Sequence, residues 1–387
     1  MRIKKNIFIM YAIALLQGMV FYAPVATLYR QAAGVSIFQI TIIESISLAV
    51  CVAMELPWGI LADRIGYRST MIFCCLLYFL SKIIFWQANG FGAFLLERIL
   101  LGIIFAGLSG VDTSVLYLSS REDSAQGVFG VYDNLGTIGL LSAAAVFSLF
   151  IKDNYRLAGL LTVVSYGIAA VLVFGLTEVK PKRRERQNLF SEFKNVIHHI
   201  SKNKTLVLLL LAVALLNETH QTITTYLNQL QYEKCGISTG AMGYIYIIVS
   251  VLGLLGGLSA RLTNRFGMAR FGTVLFLACI LACGTLTVTD SAVSSVLSIV
   301  CLHICYCLFQ PLQVDLQNRQ VASANRATAL SVNALLMDGV AIVTNIVFGK
   351  LAEMKLSYAM ALGTAFCTAG LILFLLWGRS RSRTCLE

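Results

Sequence analysis

Glu218, Gln221, Thr222 and Thr225 stand at i, i+3, i+4 and i+7, so on a helix they form one polar stripe. The run that holds them, from Leu206 to Leu227, is otherwise mostly apolar. His303, Tyr306, Cys307 and Gln310 repeat the spacing in a second apolar run. A carboxylate and an imidazole placed in this way can each take up and release a proton, and the neighbouring amides and hydroxyls can hold a polar solute. Glu218 is therefore expected to carry a proton or cation, with Gln221, Thr222, His303, Tyr306 and Gln310 contacting the solute. A Glu218–His303 pair that simply pins two helices is the plainer alternative. His220 lies about 200° from Glu218 around a helix and is not expected to share its face.

Further ionisable residues interrupt other apolar runs: Glu44, Glu55, Lys82, Glu97, Arg98, Asp112, Asp133 and Asp338. A charge at the centre of a bilayer costs roughly 2.5–3.5 kcal/mol on insertion scales, so these groups must turn inward, toward water or one another. Arg98 and Asp112 are 14 residues apart and share a face on a continuous helix, with Arg98 a candidate for an anionic solute or a neighbouring carboxylate. Adjacent helical residues do not face each other, so Glu97 is expected to meet Lys82 rather than Arg98. Glu44 with Glu55, and Ser331 with Asp338 and Asn345, form further polar stripes on their helices. Gly102, Ala106 and Gly110, and Gly253 with Gly257, let helices approach closely.

Twelve apolar runs position these residues: Ile7 to Leu28, Ile37 to Leu61, Thr70 to Ala88, Phe94 to Leu118, Val128 to Ile151, Leu157 to Leu176, Leu206 to Leu227, Ala241 to Leu262, Phe271 to Val288, Ala292 to Leu312, Ala327 to Phe348 and Tyr358 to Trp377. Most approach or exceed the roughly 20 residues that a membrane helix needs. The composition agrees: 58% of the 387 residues are hydrophobic and 13% charged, with a mean hydropathy of +0.78. An all-α polytopic membrane protein follows. The first run is too long for a cleaved signal peptide and reads as a retained span.

The net charge of +11 is topological, since basic residues fall between the runs and none is interleaved with base-stacking aromatics; nucleic acid is not an expected partner. With both ends on one side, that side holds 22 of the 30 Lys and Arg residues against 6 on the other, which places both ends in the cytoplasm of a cytoplasmic (plasma) membrane protein. Of 11 cysteines only Cys235 and Cys385 lie outside the runs, so no disulfide framework is visible. Cys279 with Cys283 and Cys301 with Cys305 could hold a soft metal at i, i+4 spacing, but small thiols pack as hydrophobes and no metal site is expected.

Between the second and third runs lies Gly59-Ile60-Leu61-Ala62-Asp63-Arg64-Ile65-Gly66-Tyr67-Arg68, read as a charged membrane-surface loop with Gly66 at its tight reversal. Asn264-Arg265-Phe266-Gly267 repeats it 201 residues on, with Asn in place of Asp. A basic segment, Glu178 to Lys204, separates six runs from six; it contains an amphipathic piece from Leu189 to Ile200 and the surface pair His198-His199. The chain thus divides into an N-terminal six-helix bundle (1–178), a cytoplasmic linker (179–204) and a C-terminal six-helix bundle (205–387), an internal duplication with parallel topology.

Gly59, Asp63, Arg64, Gly66 and Arg68 resemble the signature loop of the major facilitator superfamily, and the degenerate second copy and basic centre strengthen the likeness over the whole chain. Tyr67 stands where that family has a basic residue. Arg98 with Gly102 resembles the family's motif of helix four, and Glu55-Leu56-Pro57-Trp58-Gly59 looks like a branch of bacterial exporters. Gly136-Thr137-Ile138-Gly139 lacks the Gly-Pro pair of the drug/proton antiporter branch.

The resemblance implies twelve transmembrane helices as two bundles rocking about a central site. Helices one, four, seven and ten would line that site, adding Gln17 and Arg98 to the candidate residues. It also implies that the signature loop latches one conformation, with Asp112 joining Arg64 and Arg68 in its charge network.

The expectation is a secondary transporter of a small organic solute, coupled to a proton or cation gradient, without cofactor, monomeric in the lipid bilayer, and acting in efflux as an antiporter. A nutrient importer is the alternative within the class. A non-transporting sensor or an enzyme is a distant third, since no H-E-x-x-H, G-x-S-x-G or Walker loop occurs. The missing Walker loop also argues against an ATP-driven pump.

Overall fold

The computed structural model describes residues 2–120, 125–179, 203–320 and 326–384, all helices and their connections, with no strand among them. The Leu189 to Ile200 piece, His198-His199 and the side chain of Asp63 fall outside the described residues. Among the described residues, twelve helical spans are long and apolar enough to cross a membrane. The first six are Lys5–Ala32, Ile37–Glu55, Tyr67–Gln87, Gly90–Leu118, Gly127–Ile151 and Tyr155–Gly175. The second six are Lys204–Lys234, Thr239–Phe266, Met268–Val288, Ala292–Arg319, Val332–Met354 and Leu356–Ser380. Side chains are distributed as lipid as solvent requires: Val288 and Phe150 are 81% and 78% exposed while Arg30 and Glu97 are each 1% exposed.

The chain forms two compact units, one comprising Met1–Arg184 with Ser238–Ile247 and the other Glu185–Ile237 with Ile248–Glu387. Inside the first, Met10, Ile13, Met71, Cys75, Val115 and Val173 pack from spans one, three, four and six. Inside the second, Phe276, Phe309, Phe374 and Trp377 form an aromatic core at centroid separations of 5.3–6.2 Å. Polar caps start the spans. Ser36 and Gln39 make a reciprocal capping box, and Asn154, Asn203 and Ser291 accept from the amides of Leu157, Leu206 and Ser294.

Glycine spacing is where the helices touch. A Cβ at Gly102 would lie 2.5 Å from the Ser47 carbonyl oxygen, and Ser47 Oγ donates to the Arg98 carbonyl at 2.8 Å, closing spans two and four together. Gly139 and Gly18 bring spans one and five together through the Leu15 and Gly136 carbonyls. In span eight the contact is made by Gly253 and Gly256, against His303 and Cys307 of span ten, whereas Gly257 of the expected pair meets nothing.

The charged segment expected as a loop is mostly helix. Helix Ile37–Ile65 continues through Gly59, Asp63 and Arg64, and the next begins at Tyr67, so the reversal is Gly66 alone. A membrane-edge turn this short leaves few backbone groups without a partner. Its twin is built alike: Phe266 ends one helix, Met268 starts the next, and Gly267 lies between. Gly66 has φ 90° and ψ 154°, and Gly267 has φ 80° and ψ 146°, a region that only glycine enters readily.

The two turns differ in surroundings. A Cβ on Gly66 would come within 2.9 Å of the Glu178 carboxylate, while one on Gly267 meets nothing within 4 Å. Gly267→Ala should therefore cost the backbone strain alone, about 1–3 kcal/mol, and Gly66→Ala that strain plus displacement of Glu178. Melting temperatures of the purified variants check this; equal losses would contradict it.

Candidate functional site

In the second unit, Glu218 sits at the end of helix Lys204–Gln221, just before a π-helical stretch, Thr222–Leu227. Wide turns of this kind recur at functional positions in helices. Glu218 Oε2 is shielded from solvent and has no hydrogen-bond partner among the described residues. Asp338 of span eleven is the charge that acts on it. A carboxylate so placed is poorly paired, which is the state in which a proton is most useful to it.

The stripe containing Glu218 divides. Gln221 and Thr225 are exposed, but Thr222 is buried, with its hydroxyl donating to Asn345 Oδ1 at 3.0 Å. Thr222 thus belongs to the packing of spans seven and eleven rather than to the open stripe, because a residue at i+4 is turned about 40° from Glu218, toward span eleven.

His303 does not pair with Glu218. Its Nδ1 lies 3.1 Å from Nε2 of His220, the residue that helical phase had set aside. His220 lies flat on the ring of Tyr306, centroids 3.7 Å apart and planes 3° from parallel. Thr224 Oγ1 is 3.2 Å from the same His220 nitrogen, and Cys307 Sγ is 3.5 Å from His303 Nε2. Tyr306 hydrogen-bonds Gln310 on its own helix and feels the charge of Glu218. Gln310 Oε1 accepts from Gln313 Nε2 at 2.9 Å. Glu218, His220, His303, Tyr306 and Gln310 therefore form one continuous polar patch on spans seven and ten. A hydrogen bond between two imidazoles needs one N–H and one lone pair, so adding a proton at that edge breaks it.

In the first unit, Arg98 lies in a second cluster. One oxygen of Glu44, Oε1, is 2.9 Å from both Arg30 Nη1 and Arg98 Nη2. Glu97 lies 3.6 Å from Lys82 Nζ, as the sequence led us to expect, and its other oxygen is 3.5 Å from Arg98 Nε. The Glu97–Arg98 contact corrects the sequence reading: the long guanidinium stem reaches back over its own helix even though the two Cβ atoms diverge. Lys82 also donates to Tyr22 Oη at 3.2 Å and lies 5.2–5.9 Å from the ring centroids of Tyr78, Tyr166 and Tyr22. Gln17 is at the margin, its carbonyl accepting from Tyr166 at 2.5 Å and its amide 3.5 Å from Cys75 Sγ.

In this cluster the sequence reading missed two residues. Arg30 reads as a loop charge in the sequence but is buried in this cluster. Its signal was position, a lone arginine on the side with few basic residues. Glu44, grouped with Glu55 as a carboxylate stripe, is neutralised by two arginines while Glu55 stays exposed.

The signature-turn network also differs from expectation. Arg68 donates to the carbonyls of Leu176 at 2.6 Å and Phe174 at 3.2 Å, the last turn of span six, where a cation meets the negative end of the helix dipole. Its amide is 3.4 Å from Glu178. Asp112 accepts from the Thr113 amide at 2.6 Å and pairs with neither Arg64 nor Arg68 among the described residues. Span four also breaks at Gly110, φ 79°, so the face expected to be shared by Arg98 and Asp112 does not carry through. The ten described cysteines are free thiols. No group of three or more described His, Cys, Asp or Glu residues has the geometry to hold a metal ion.

The family model of the Major Facilitator Superfamily matches residues 7–344. A nitrate/nitrite transporter of Nostoc punctiforme is 25% identical over 169 residues, covering 42% of this chain and 34% of that protein. An uncharacterized MFS-type transporter of Methanocaldococcus jannaschii is 24% identical over 202 residues, covering 49% and 52%. The chain thus matches about a third to a half of the length of these relatives. Among solved structures, the nucleoside transporter NupG superposes with a TM-score of 0.78 at 18% identity, covering 98% of this chain and 99% of that one. A D-xylose-proton symporter gives 0.73 at 14%, covering 97% of each.

Proposed function

Since the chain belongs to the Major Facilitator Superfamily, and is thus a multi-pass membrane transporter for some solute and not an enzyme, we propose that it moves a small organic solute by proton-coupled alternating access. Glu218 is the proton-carrying group. The observation that carries this reading is the shielded Oε2 of Glu218, without a partner among the described residues, beside the His220–His303–Tyr306 stack. A buried carboxylate in that condition is costly when charged and much less so when protonated, which is the differential a coupled cycle requires. His303, Tyr306 and Gln310 supply hydrogen-bonding groups to the solute. Gly66 and Arg68 fix the turn that moves with the bundle. Both termini face the cytoplasm of the cell membrane, in keeping with the basic side of the chain, and the protein acts as a monomer.

Export is the favoured direction, on the exporter-like Glu55-Leu56-Pro57-Trp58-Gly59 segment. Import is the second reading, favoured by the full-length likeness to a D-xylose-proton symporter and a nucleoside transporter. Proteoliposomes loaded with a pH-sensitive dye test both. Addition of nitrate, uridine or D-xylose should move protons for the transported member of the panel, and a protonophore should abolish its accumulation. Accumulation indifferent to the protonophore would overturn proton coupling. The sign of the proton movement distinguishes symport from exchange.

A further inference from the structure

We propose that the transported solute carries a planar oxyanion, a carboxylate or a group of the same shape and single charge, and that the cluster of Arg30, Lys82 and Arg98 receives it. This rests on the reading that the chain carries a solute, and it names the solute's class.

The first support is a charge count. Three cations, Arg30, Lys82 and Arg98, meet two carboxylates, Glu44 and Glu97, within one contiguous group drawn from spans one to four. The other polar groups around it are the hydroxyls of Tyr22, Tyr78 and Tyr166, which add no negative charge. The cluster therefore holds one positive charge in excess, in a part of the protein where Arg30, Lys82 and Glu97 are at most 5% exposed. An uncompensated charge at such a place is expensive, and a single anion removes the excess.

The second support is geometric and independent of the count. Arg30 spends Nη1 on Glu44, while Nε and Nη2 are both shielded and have no hydrogen-bond partner among the described residues. Those two nitrogens form one edge of the guanidinium plane, with parallel N–H bonds spaced to meet the two oxygens of a carboxylate or nitrate. Arg98, bound to the same Glu44 oxygen and with 21% of its side chain exposed, is the member that an incoming anion reaches first. Phe85, 5.7 Å from the Arg30 guanidinium and stacked on Tyr22 with centroids 4.0 Å apart, makes the surroundings of the charged groups aromatic.

The alternative is that Lys82 is held without its proton, which would make the cluster neutral and leave no call for an anion. Thermal unfolding of the purified full chain in detergent separates the two. Benzoate and nitrate are compared with benzamide and with chloride at equal ionic strength. Benzoate and nitrate should raise the melting temperature in a concentration-dependent way, while benzamide and chloride should not. Lys82→Met, which brings the count to neutrality, should weaken the apparent affinity for benzoate by about tenfold or more, and Glu97→Gln, which raises the excess, should strengthen it.

Equal shifts from benzoate and benzamide would overturn the proposal, as would shifts that chloride reproduces, no shift from either oxyanion, or a benzoate response unchanged in both variants. If the variants do not fold, the wild-type comparison alone decides. The measurement uses no membrane and no gradient, so its failure leaves proton coupling at Glu218 untouched. Loss of coupling with oxyanion binding intact would remove only the earlier reading.

Discussion

Glu218→Gln is expected to abolish accumulation against a gradient while leaving exchange of the solute across the membrane intact. The substitution keeps the shape of the side chain and removes only its ability to ionise. One imposed pH unit supplies about 1.4 kcal/mol per coupled proton, which is a tenfold accumulation at most for a one-proton cycle. The wild-type protein should approach that ratio in proteoliposomes, and the variant should stay near unity. Solute counterflow, which needs no net proton movement, should persist. Because Oε2 has no partner among the described residues, the variant should also melt at or above the wild-type temperature. Accumulation in the variant equal to that of the wild type would remove Glu218 from the coupling step.

Glu44→Ala should be among the most damaging single changes to stability. The carboxylate holds Arg30 and Arg98 at 2.9 Å each through one oxygen, so its loss leaves two guanidiniums facing each other in the interior of the first unit. Removing one partner of a buried ion pair costs about 3–5 kcal/mol, and here a second cation shares the same partner. Removing a cation as well should restore much of the loss, because a paired deletion returns the cluster to its original excess of one positive charge, with Arg98 still 3.5 Å from Glu97: Glu44→Leu combined with Arg30→Met should melt closer to wild type than Glu44→Ala does. Thermal unfolding of the purified proteins reads both. A Glu44→Ala variant melting within a degree of the wild type would show that the arginines find other partners.

The spans were legible because lipid demands long uninterrupted apolar runs, and nothing else in this composition competes with that reading. The paired turns at Gly66 and Gly267 were legible from spacing alone, since only glycine suits the backbone there and the copies lie 201 residues apart in the sequence. Helical phase also put Tyr306 and Gln310 on one face of span ten, while the family resemblance, not phase, set that face beside Glu218 of span seven. Phase failed for His220, because it says which way a side chain leaves its own helix and not which ring from the next helix fills the space. Tyr306 does so, and the stack carries His220 to His303. Arg30 was hidden for a different reason. A charge between two apolar runs is read as topology, and only the fold shows that the short helix Ala26–Ala32 tucks it inside. The face that Arg98 and Asp112 were expected to share does not carry through, because a left-handed residue at Gly110 resets the rotation, which no periodicity count can see.

The wide turn from Thr222 to Leu227 bears on how this helix tolerates changes in length. Such a segment is an ordinary helix carrying a surplus residue, so deleting one position there would tighten the ladder and leave Asn228–Lys234 near its present rotation. The same deletion at Ala212 would swing everything beyond it by about 100° and re-aim Glu218. The surplus therefore acts as slack: between Glu218 and Lys234 the chain can shorten by a residue without turning the groups on either side away from their neighbours.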